Sequence, residues 1–310
     1  MPLSTTVHPE VAAALADGQA VVALESTIFS NLGLPSPANR EALDRCLTAT
    51  RAGGAVPAIT AVLDGVARVG LEPAEHDRIC GPARKVAERD LGVAVATRWD
   101  YGATTVSAAL ALADAAGIRV FSTGGIGGVH RGADLTGDVS ADLDAIAHHP
   151  VVTVCAGAKA FLDLPRTLEH LEMAGVPVLG WRHDWFPAFY TRSSGLRVPH
   201  RVESAQVVAA VLAQRARPDT GVLLTVPIPE EAALDTAALD QALVAALGDA
   251  EASSITGAAV TPFVLGRIGE ATAGSSVPAN LALAESNCRV AAEVAVAMAA
   301  SAVRGGDPSA

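Results

Sequence analysis

Cysteine and aromatic residues are both scarce in this chain of 310 residues. The four cysteines, Cys46, Cys80, Cys155 and Cys288, are widely spaced and form no Cys-x-x-Cys pair. This spacing argues against a zinc site or a disulfide framework and is typical of a reducing compartment, so we expect a cytoplasmic protein. Aromatic residues make up only 4% of the chain, which leaves few side chains for an aromatic stacking platform.

The chain has fewer basic than acidic residues, and it has no long apolar run. The 22 Lys and Arg residues face 33 Asp and Glu residues, so the net charge of −11 argues against a nucleic-acid-binding surface. No apolar run reaches the roughly 18 residues of a membrane span, and we expect no contact with a membrane. Glu10 and Asp17 interrupt the first twenty residues, which therefore do not resemble a signal peptide. Half of the residues are hydrophobic, which excludes a disordered chain.

Lysine is the rarest of the charged residues. Of the 22 basic residues, only Lys85 and Lys159 are lysine. A lysine amine can lose its proton and attack a carbonyl group, whereas the guanidinium group of arginine stays charged. The two lysines therefore survive either by chance or because arginine cannot replace them.

Short apolar runs alternate with longer amphipathic stretches along the chain. This pattern predicts a single large three-layer α/β/α domain over residues 1–310, with a mostly parallel central sheet. We predict strands at residues 20–24, 55–63, 93–97, 119–122, 151–155, 176–179 and 222–226. We predict helices at residues 39–52, 104–116, 140–147, 164–174, 204–215, 236–252 and 280–300. Residues 182–201 form the one irregular insertion, which is interpreted as a lid, a subunit contact or a surface loop.

Polar residues directly follow several of the predicted strands, where open α/β sheets bind ligands. Glu25 follows the first strand, and burial there would raise its pKa toward acid–base use, although a loop-capping role is the alternative. Residues 123–132 begin at Thr123, end with His130, Arg131 and a glycine, and contain five glycines. Glycine lets backbone N–H groups turn toward an anion, so we predict a phosphate cradle; a tight turn without a ligand is the alternative.

Two aspartates and a lysine follow the glycine-rich stretch. Asp138 and Asp142 are four residues apart and can hold a hard cation such as Mn²⁺ or Mg²⁺, or a sugar hydroxyl. Ser140 can cap the helix that follows it, and capping and solvation are the plain alternative for all three. Lys159 ends a buried apolar strand among small residues, which makes it a candidate for an imine with a carbonyl substrate. Lys85 can bring a second cation to the same pocket.

Several stretches of the sequence resemble the pseudouridine-5′-phosphate glycosidase family, also called the indigoidine synthase A family. The resemblance covers nearly the whole chain. The stretches that carry it are VVALESTI, GGAVPAITAVLDG, PARKVAERDL, GATTVSAALALADAAGI, VFSTGGIGGVHRGADLTGDVSADL, VVTVCAGAKAFLD, TLEHLEMAGVPVLG, PIPEE, TPFVL and PANLALAESN.

This resemblance implies a ribose 5-phosphate enzyme that makes or breaks a carbon–carbon glycosidic bond, working as a homotrimer. By position in the motifs, Lys159 is the nucleophile that forms the imine and Glu25 moves protons. Lys85 is the second substrate lysine, and Asp138 anchors Mn²⁺. The resemblance and the glycine loop together imply these substrate-binding residues: Val106, Thr123, His130, Ser140, Ala141, Asp142 and Asn280. The partners would be ribose 5-phosphate and a small aromatic or pyrimidine aglycone.

The sequence departs from the family pattern on the aglycone side. Residues 30–35 lack the usual histidine, residues 257–259 read Gly-Ala-Ala where the family has Gly-Lys, and residues 85–89 and 225–229 also differ. Polar groups that suit a pyrimidine have become apolar, and an apolar site selects by shape. We therefore expect an enzyme that attaches ribose to an aromatic, polyketide-like aglycone in antibiotic biosynthesis, with pseudouridine-5′-phosphate glycosidase as the alternative.

Two further classes share the lysine and the glycine loop. A Schiff-base lyase that acts on phosphosugars would need neither a nucleobase nor a metal ion. A sugar-phosphate sensor without catalysis would need neither lysine as a nucleophile, so retention of Lys85, Lys159 and Glu25 argues against it.

Overall fold

The fold is known from a computed structural model, which describes residues 5–253, 255, 260–272 and 274–305. Eleven strands form one sheet. The strands are β1 Thr5–Val7, β2 Val21–Leu24, β3 Val56–Leu63, β4 Val66–Val69, β5 Arg84–Val86, β6 Tyr101–Thr104, β7 Val120–Ser122, β8 Val152–Cys155, β9 Val178–Trp181, β10 His200–Val202 and β11 Val222–Thr225.

The helices fill the connections between strands. They are α1 Pro9–Ala16, α2 Ala38–Ala52, α3 His76–Ile79, α4 Leu91–Ala96, α5 Val106–Ala115, α6 Ala133–Thr136, α7 Ala141–His148, α8 Leu164–Met173, α9 Ala205–Gln214, α10 Thr236–Ala252, α11 Val260–Ala271 and α12 Ser276–Gly305. Short 3₁₀ turns lie at Pro73–Glu75, Glu88–Asp90 and Glu230–Ala232. None of the helices in the described ranges is long and apolar enough to cross a membrane.

The strand order is β1-β4-β3-β2-β7-β8-β11-β9-β10, with β6 paired to β3 and β5 paired to β6. From β3 to β10 every neighbouring pair is parallel, while β4 and β6 run antiparallel to β3. The parallel strands β2, β8 and β11 are buried along their whole length, as expected of strands covered on both faces.

Two groups of helices cover the sheet. Helix α12 packs against α2, α9 and strands β2, β7 and β8, and α5 and α7 pack together against the sheet, with α8 beside α7. The expected α/β/α architecture with a mostly parallel sheet is confirmed. Gly117 and Gly175 follow α5 and α8 with φ values of 81° and 78°, the left-handed conformation that commonly ends a helix.

One predicted strand is wrong, and several short elements were not predicted. Residues 93–97 form most of α4 and not a strand, because the alternation in Val-Ala-Val-Ala is too short to separate a strand from a helix, and Val93 is exposed. The missed elements are β1, β4, β5, β6, β10, α1, α3, α6 and α11, most of them three or four residues long. Residues 257–259, which carry one departure from the family pattern, and residues 306–310 lie outside the described residues.

The irregular segment at residues 182–201 packs onto the loop that follows β8. Phe186, Phe189 and Tyr190 are buried, and the Phe189 N–H donates a hydrogen bond of 3.0 Å to the Ala156 carbonyl. Trp185 stays partly exposed, with the Arg197 guanidinium 4.8 Å above its ring. Phe186, Phe189 and Tyr190 therefore form part of the core, whereas Trp185 lies at the surface.

Candidate active site

The carboxyl ends of three adjacent strands bring the candidate catalytic residues together. Strand β7 lies between β2 and β8, so Glu25 after β2, Thr123 after β7 and the loop to Lys159 after β8 share one edge of the sheet. The loops after β7 and β8 also pair with each other, through a bridge between Ile126 and Ala158. The Lys159 N–H completes the pairing with a hydrogen bond of 3.2 Å to the Ile126 carbonyl.

Glu25 is a buried carboxyl group with a shifted pKa. Its side chain accepts a short hydrogen bond from the Thr123 hydroxyl. Burial raises its pKa to about 7, while the hydrogen bond from Thr123 and the charges of Lys159 and Lys85 pull the pKa down less strongly. The expectation from the sequence that burial raises the pKa of Glu25 is thus confirmed, and the group can exchange a proton near neutral pH.

Lys85 and Lys159 approach Glu25 from different parts of the fold. Lys159 is half-buried, and Lys85 reaches in from the exposed strand β5. Desolvation lowers the pKa of Lys85, and the positive charge of Lys159 lowers it further. The three residues predicted to be catalytic therefore lie within electrostatic reach of one another.

The glycine loop packs closely against its neighbours. A Cβ atom on Gly127 would lie 2.2 Å from the Ser140 Oγ, and one on Gly128 would lie 2.5 Å from the Thr167 Oγ1. Close packing therefore disfavours a side chain at either of these two positions. The phosphate cradle remains a prediction.

His130 lies at the end of the glycine loop and faces the lysines. Burial lowers its pKa, the Asp138 carboxylate raises it in part, and the charges of Lys159 and Lys85 lower it again. The His130 Nδ1 is 3.8 Å from the Asp138 Oδ2, and the His130 N–H donates a hydrogen bond of 3.0 Å to the Asp138 carbonyl.

The carboxylate of Asp142 binds backbone N–H groups. Its Oδ1 accepts from the Ser107 N–H at 3.2 Å, and its Oδ2 accepts from the Gly127 N–H at 2.8 Å. Ser140 caps α7 as predicted, because its Oγ accepts from the Asp142 N–H at 3.2 Å. Ala141, the first residue of α7, is exposed.

The expected Mn²⁺ or Mg²⁺ site at Asp138 is wrong. Within the described ranges, His, Cys, Asp and Glu side chains form no group of three or more that could hold a metal ion. The two carboxylates that were expected to share a cation have other partners: Asp138 lies beside His130, and Asp142 binds the backbone.

Two further predicted contacts are deeply buried. Val106 begins α5, and its side chain lies in the core. Asn280 of α12 is 7% exposed, and its Oδ1 is buried without a hydrogen-bond partner in the described structure. Burial raises the pKa of Tyr190, and the neighbouring Asn280 and Ser276 oppose that rise in part.

Sequence reasoning missed two sets of supporting residues. Asn287 of α12 donates from its Nδ2 to the Thr123 carbonyl at 2.8 Å and to the Gly124 carbonyl at 3.2 Å. Its place at the end of the PANLALAESN stretch was the available signal. The second set is a hydroxyl cluster beneath Glu25, in which the Thr104 Oγ1 lies 3.2 Å from the Ser26 Oγ and 2.9 Å from the Thr60 Oγ1.

The loop at residues 30–35, which departs from the family pattern, is fixed from within. The Ser30 hydroxyl donates to the Thr27 carbonyl at 2.8 Å. The Asn31 Oδ1 accepts from the Ala83 N–H at 3.0 Å and so ties this loop to the segment that leads to Lys85.

Fold and site together define an α/β/α enzyme with acid–base and amine groups at the carboxyl edge of a parallel sheet. The chain belongs to the family described as indigoidine synthase A like protein, whose family model matches residues 10–297. It is 51% identical over 94% of its length to a pseudouridine-5′-phosphate glycosidase from Herpetosiphon aurantiacus, of which 96% is covered. It is 49% identical over 94% of its length to the enzyme of that name from Chloroflexus aurantiacus, of which 97% is covered.

Solved structures show the same fold. The prealnumycin C-glycosynthase AlnA, in complex with ribulose 5-phosphate, matches with a TM-score of 0.89 and 36% identity, over 98% of this chain and 99% of that one. An indigoidine synthase A-like protein from Thermotoga maritima matches with a TM-score of 0.85 and 32% identity, over 96% of this chain and 97% of that one. These relatives confirm that the chain is an enzyme of a family that acts on glycosidic bonds.

The comparisons correct the expected reaction. We expected attachment of ribose to an aromatic aglycone in antibiotic biosynthesis, and this is wrong. Relatives about half identical over nearly the whole chain are pseudouridine-5′-phosphate glycosidases, whereas the C-glycosynthase is only 36% identical. The apolar changes on the aglycone side therefore do not identify the reaction.

Proposed function

We propose that this protein is a pseudouridine-5′-phosphate glycosidase, which converts pseudouridine 5′-phosphate and water into uracil and ribose 5-phosphate. The observation that carries the proposal is the grouping of Glu25, Lys85 and Lys159 at one sheet edge, with the pKa of Glu25 raised to about 7. The names of the curated relatives support the substrate.

Lys159 is the nucleophile of the proposed reaction. A carbon–carbon glycosidic bond resists the usual two-carboxylate route, because the aglycone leaves as a carbanion. In our proposal the Nζ lone pair bonds to C1′ while the C1′–O4′ bond breaks, and O4′ takes a proton. The alkylated Nζ then loses a proton, and its lone pair forms the C1′=N bond. At the same time the electron pair of the C1′–C5 bond moves to C5 of uracil, which takes a proton, so C1′ is left as an iminium on Lys159. Water hydrolyses the iminium to the aldehyde of ribose 5-phosphate and restores the amine.

Glu25 supplies and accepts protons in this sequence. With its pKa raised to about 7, the carboxyl group is present in both forms at neutral pH, which is what a group that donates and then recovers a proton requires. Lys85 adds positive charge beside it, and its lowered pKa lets it lose a proton more easily than an exposed lysine.

The phosphate of the substrate would bind on the side of His130 and the glycine loop. The positive charges of Lys85 and Lys159 act on His130. A phosphate group bound among these three residues would therefore be attracted by three basic side chains. The roles of Val106, Ser140, Ala141, Asp142 and Asn280 in binding ribose 5-phosphate and the aglycone are part of this proposal. We also propose that residues 1–310 act as one domain and that the protein forms a homotrimer, which light scattering coupled to gel filtration would test.

The scarcity of lysine makes the central step easy to test. Only Lys85, Lys159 and the amino terminus can form an imine, so borohydride reduction with ribose 5-phosphate and mass mapping has three possible sites. We expect one reduced adduct, on Lys159. Release of uracil from pseudouridine 5′-phosphate, followed by chromatography, should be lost in Lys159→Ala.

Matched variants separate the roles of the two lysines. Lys159→Arg keeps the charge and should form no adduct, while Lys85→Arg should keep the adduct on Lys159 and lower the rate of uracil release. An adduct on Lys85 alone would reverse the assignment. If the protein without substitutions releases no uracil from pseudouridine 5′-phosphate, the proposed function is wrong.

A further inference from the structure

The backbone N–H and the backbone carbonyl of Thr123 both make hydrogen bonds. Its N–H donates to the Val154 carbonyl at 3.0 Å, and its carbonyl accepts from the Asn287 Nδ2 at 2.8 Å. The hydroxyl of this buried residue donates to the Glu25 Oε1. A fixed backbone leaves the Thr123 side chain little freedom, so its hydroxyl is aimed at one oxygen of the carboxyl group.

Asn287 also links Thr123 to the loop after β8, which carries Lys159. It is 1% exposed and donates to the carbonyls of both Thr123 and Gly124. The Gly124 carbonyl also accepts from the Ala156 N–H at 2.9 Å, in the segment that leads to Lys159. One amide on α12 therefore fixes the junction between the loops after β7 and β8.

We propose that Thr123 and Asn287 are positioning residues for the acid–base step: Thr123 orients the Glu25 carboxyl group directly, and Asn287 acts on it through Thr123. This inference rests on the proposed function for the identity of the reaction. It assigns the Thr123 hydroxyl to Glu25 and not to the substrate, which differs from the binding role expected from the sequence.

The physical basis is the direction of the hydrogen bond. The Thr123 hydroxyl donates to the Glu25 Oε1. A donor to the carboxylate stabilises the charged form, and this opposes the effect of burial on the pKa of Glu25. Loss of the hydroxyl therefore moves the titration of Glu25 to higher pH.

The first test compares Thr123→Val, which keeps the shape and loses the donor, with Thr123→Ser, which keeps the donor. We expect the limb of the pH–rate profile that reports Glu25 to move up by about one pH unit in Thr123→Val and to stay in place in Thr123→Ser. KM should change less than kcat, because the hydroxyl does not touch the substrate. Thr153→Val, a buried threonine in the middle of β8, is the matched control and should leave the limb in place.

A second readout does not depend on activity. The infrared carboxyl band that is lost in Glu25→Gln can be titrated in the unmodified protein and in Thr123→Val, and its midpoint should shift in the same direction as the limb. A shifted band in a protein that releases no uracil would support the positioning role and overturn the proposed function. An unshifted band and an unshifted limb would overturn the positioning role even in an active enzyme.

The role of Asn287 is tested by combining variants. Asn287→Leu should move the limb upward by less than Thr123→Val does, and the double variant should move it no further than Thr123→Val alone, because Asn287 acts through Thr123. Additive shifts would overturn this part of the inference. Thermal unfolding checks each variant, and Asn287→Gln, which keeps the amide but displaces it, replaces the leucine variant if that one does not fold.

Discussion

The Asp142 carboxylate accepts a hydrogen bond from the Gly127 N–H at 2.8 Å, so a side chain of α7 holds the glycine loop that follows β7. The other carboxylate oxygen accepts from the Ser107 N–H in the first turn of α5. A negative charge at a helix N-terminus is favourable there. One buried aspartate thus joins two helices and a loop at the edge of the site.

Asp142→Asn should destabilise the protein and shift the titration of Glu25. The amide NH₂ cannot accept, so one backbone N–H loses its partner, and the free energy of unfolding should fall by about 1–3 kcal/mol in urea. The charge of Asp142 raises the pKa of Glu25, so its removal should move the Glu25 limb of the pH–rate profile to lower pH. Asp144→Asn, on the exposed face of α7, is the control and should change neither quantity. A limb that moves upward would contradict this account.

Gly157→Ala should disturb the loop that carries Lys159. Gly157 has a φ of 76°, and an added Cβ would lie 2.0 Å from the Pro187 carbonyl oxygen. The segment at residues 182–201 or the lysine loop would have to move, so we expect a lower kcat and a destabilisation of about 2–4 kcal/mol. Gly117→Ala has a similar φ of 81° with nothing within 4 Å, and should lose only about 1 kcal/mol in thermal or urea unfolding. Equal losses in the two variants would show that the contact with Pro187 is unimportant.

His149 should make stability depend on pH. Burial alone would lower its pKa, but hydrogen bonds of 3.2 Å to Glu88 and to Asp114 outweigh burial and raise the pKa above the ordinary 6.5. Asp114 also pairs with Arg119. A raised pKa means that the protonated form is favoured by folding, so this stabilisation is complete below about pH 6.5 and is lost as pH rises through the higher, folded-state value.

The measurement is the free energy of unfolding against pH, in the unmodified protein and in His149→Gln. The difference between the two should be largest at acidic pH and should shrink as pH rises. His148→Gln, on the exposed neighbour, should keep the pH dependence of the unmodified protein. A difference that grows with pH would mean that His149 is neutral when bound to its two carboxylates.

Thr104→Val should destabilise the hydroxyl cluster beneath Glu25. The Thr104 hydroxyl donates to the Thr60 carbonyl at 2.8 Å and accepts from the Ser26 N–H at 3.2 Å, next to Glu25. Its loss leaves buried groups without partners, and we expect a destabilisation of about 1–3 kcal/mol by urea unfolding. Thr97→Val, where the hydroxyl is exposed and bonds within its own helix end, should change stability by about 0.5 kcal/mol or less.

The long, strongly patterned elements were predictable from the sequence. Strands β2, β3, β8 and β11 lie in largely apolar runs, and α2 and α9 have clear helical periodicity. The short strands β5 and β6 could not be predicted in this way. Three or four residues carry no measurable period. The strand conformation of β6 depends on pairing with β3, and that of β5 depends on pairing with β6, so both are set by the whole fold.

The candidate site was predictable in its residues but not in its contacts. Rare lysines and a carboxylate at a strand end pointed to Lys85, Lys159 and Glu25, and the structure brings the three together. The partners of Asp142 and Thr123 were not predictable, because neither a carboxylate that binds backbone nor a hydroxyl that binds a distant side chain leaves a pattern in the chain. The spacing of Asp138 and Asp142 therefore suggested a metal site, whereas in the structure the Asp142 carboxylate binds the backbone of the glycine loop.

The contact between Asn287 and Thr123 has a consequence for synthesis of the chain. Glu25, Lys85, Thr123 and Lys159 all leave the ribosome well before α12, which holds the amide that fixes the Thr123 carbonyl. A nascent or prematurely terminated chain can thus contain every group that performs the proposed chemistry while the loop between β7 and α7 still lacks its last restraint. Activity would then be acquired late, when the carboxyl-terminal helix docks across β2, β7 and β8.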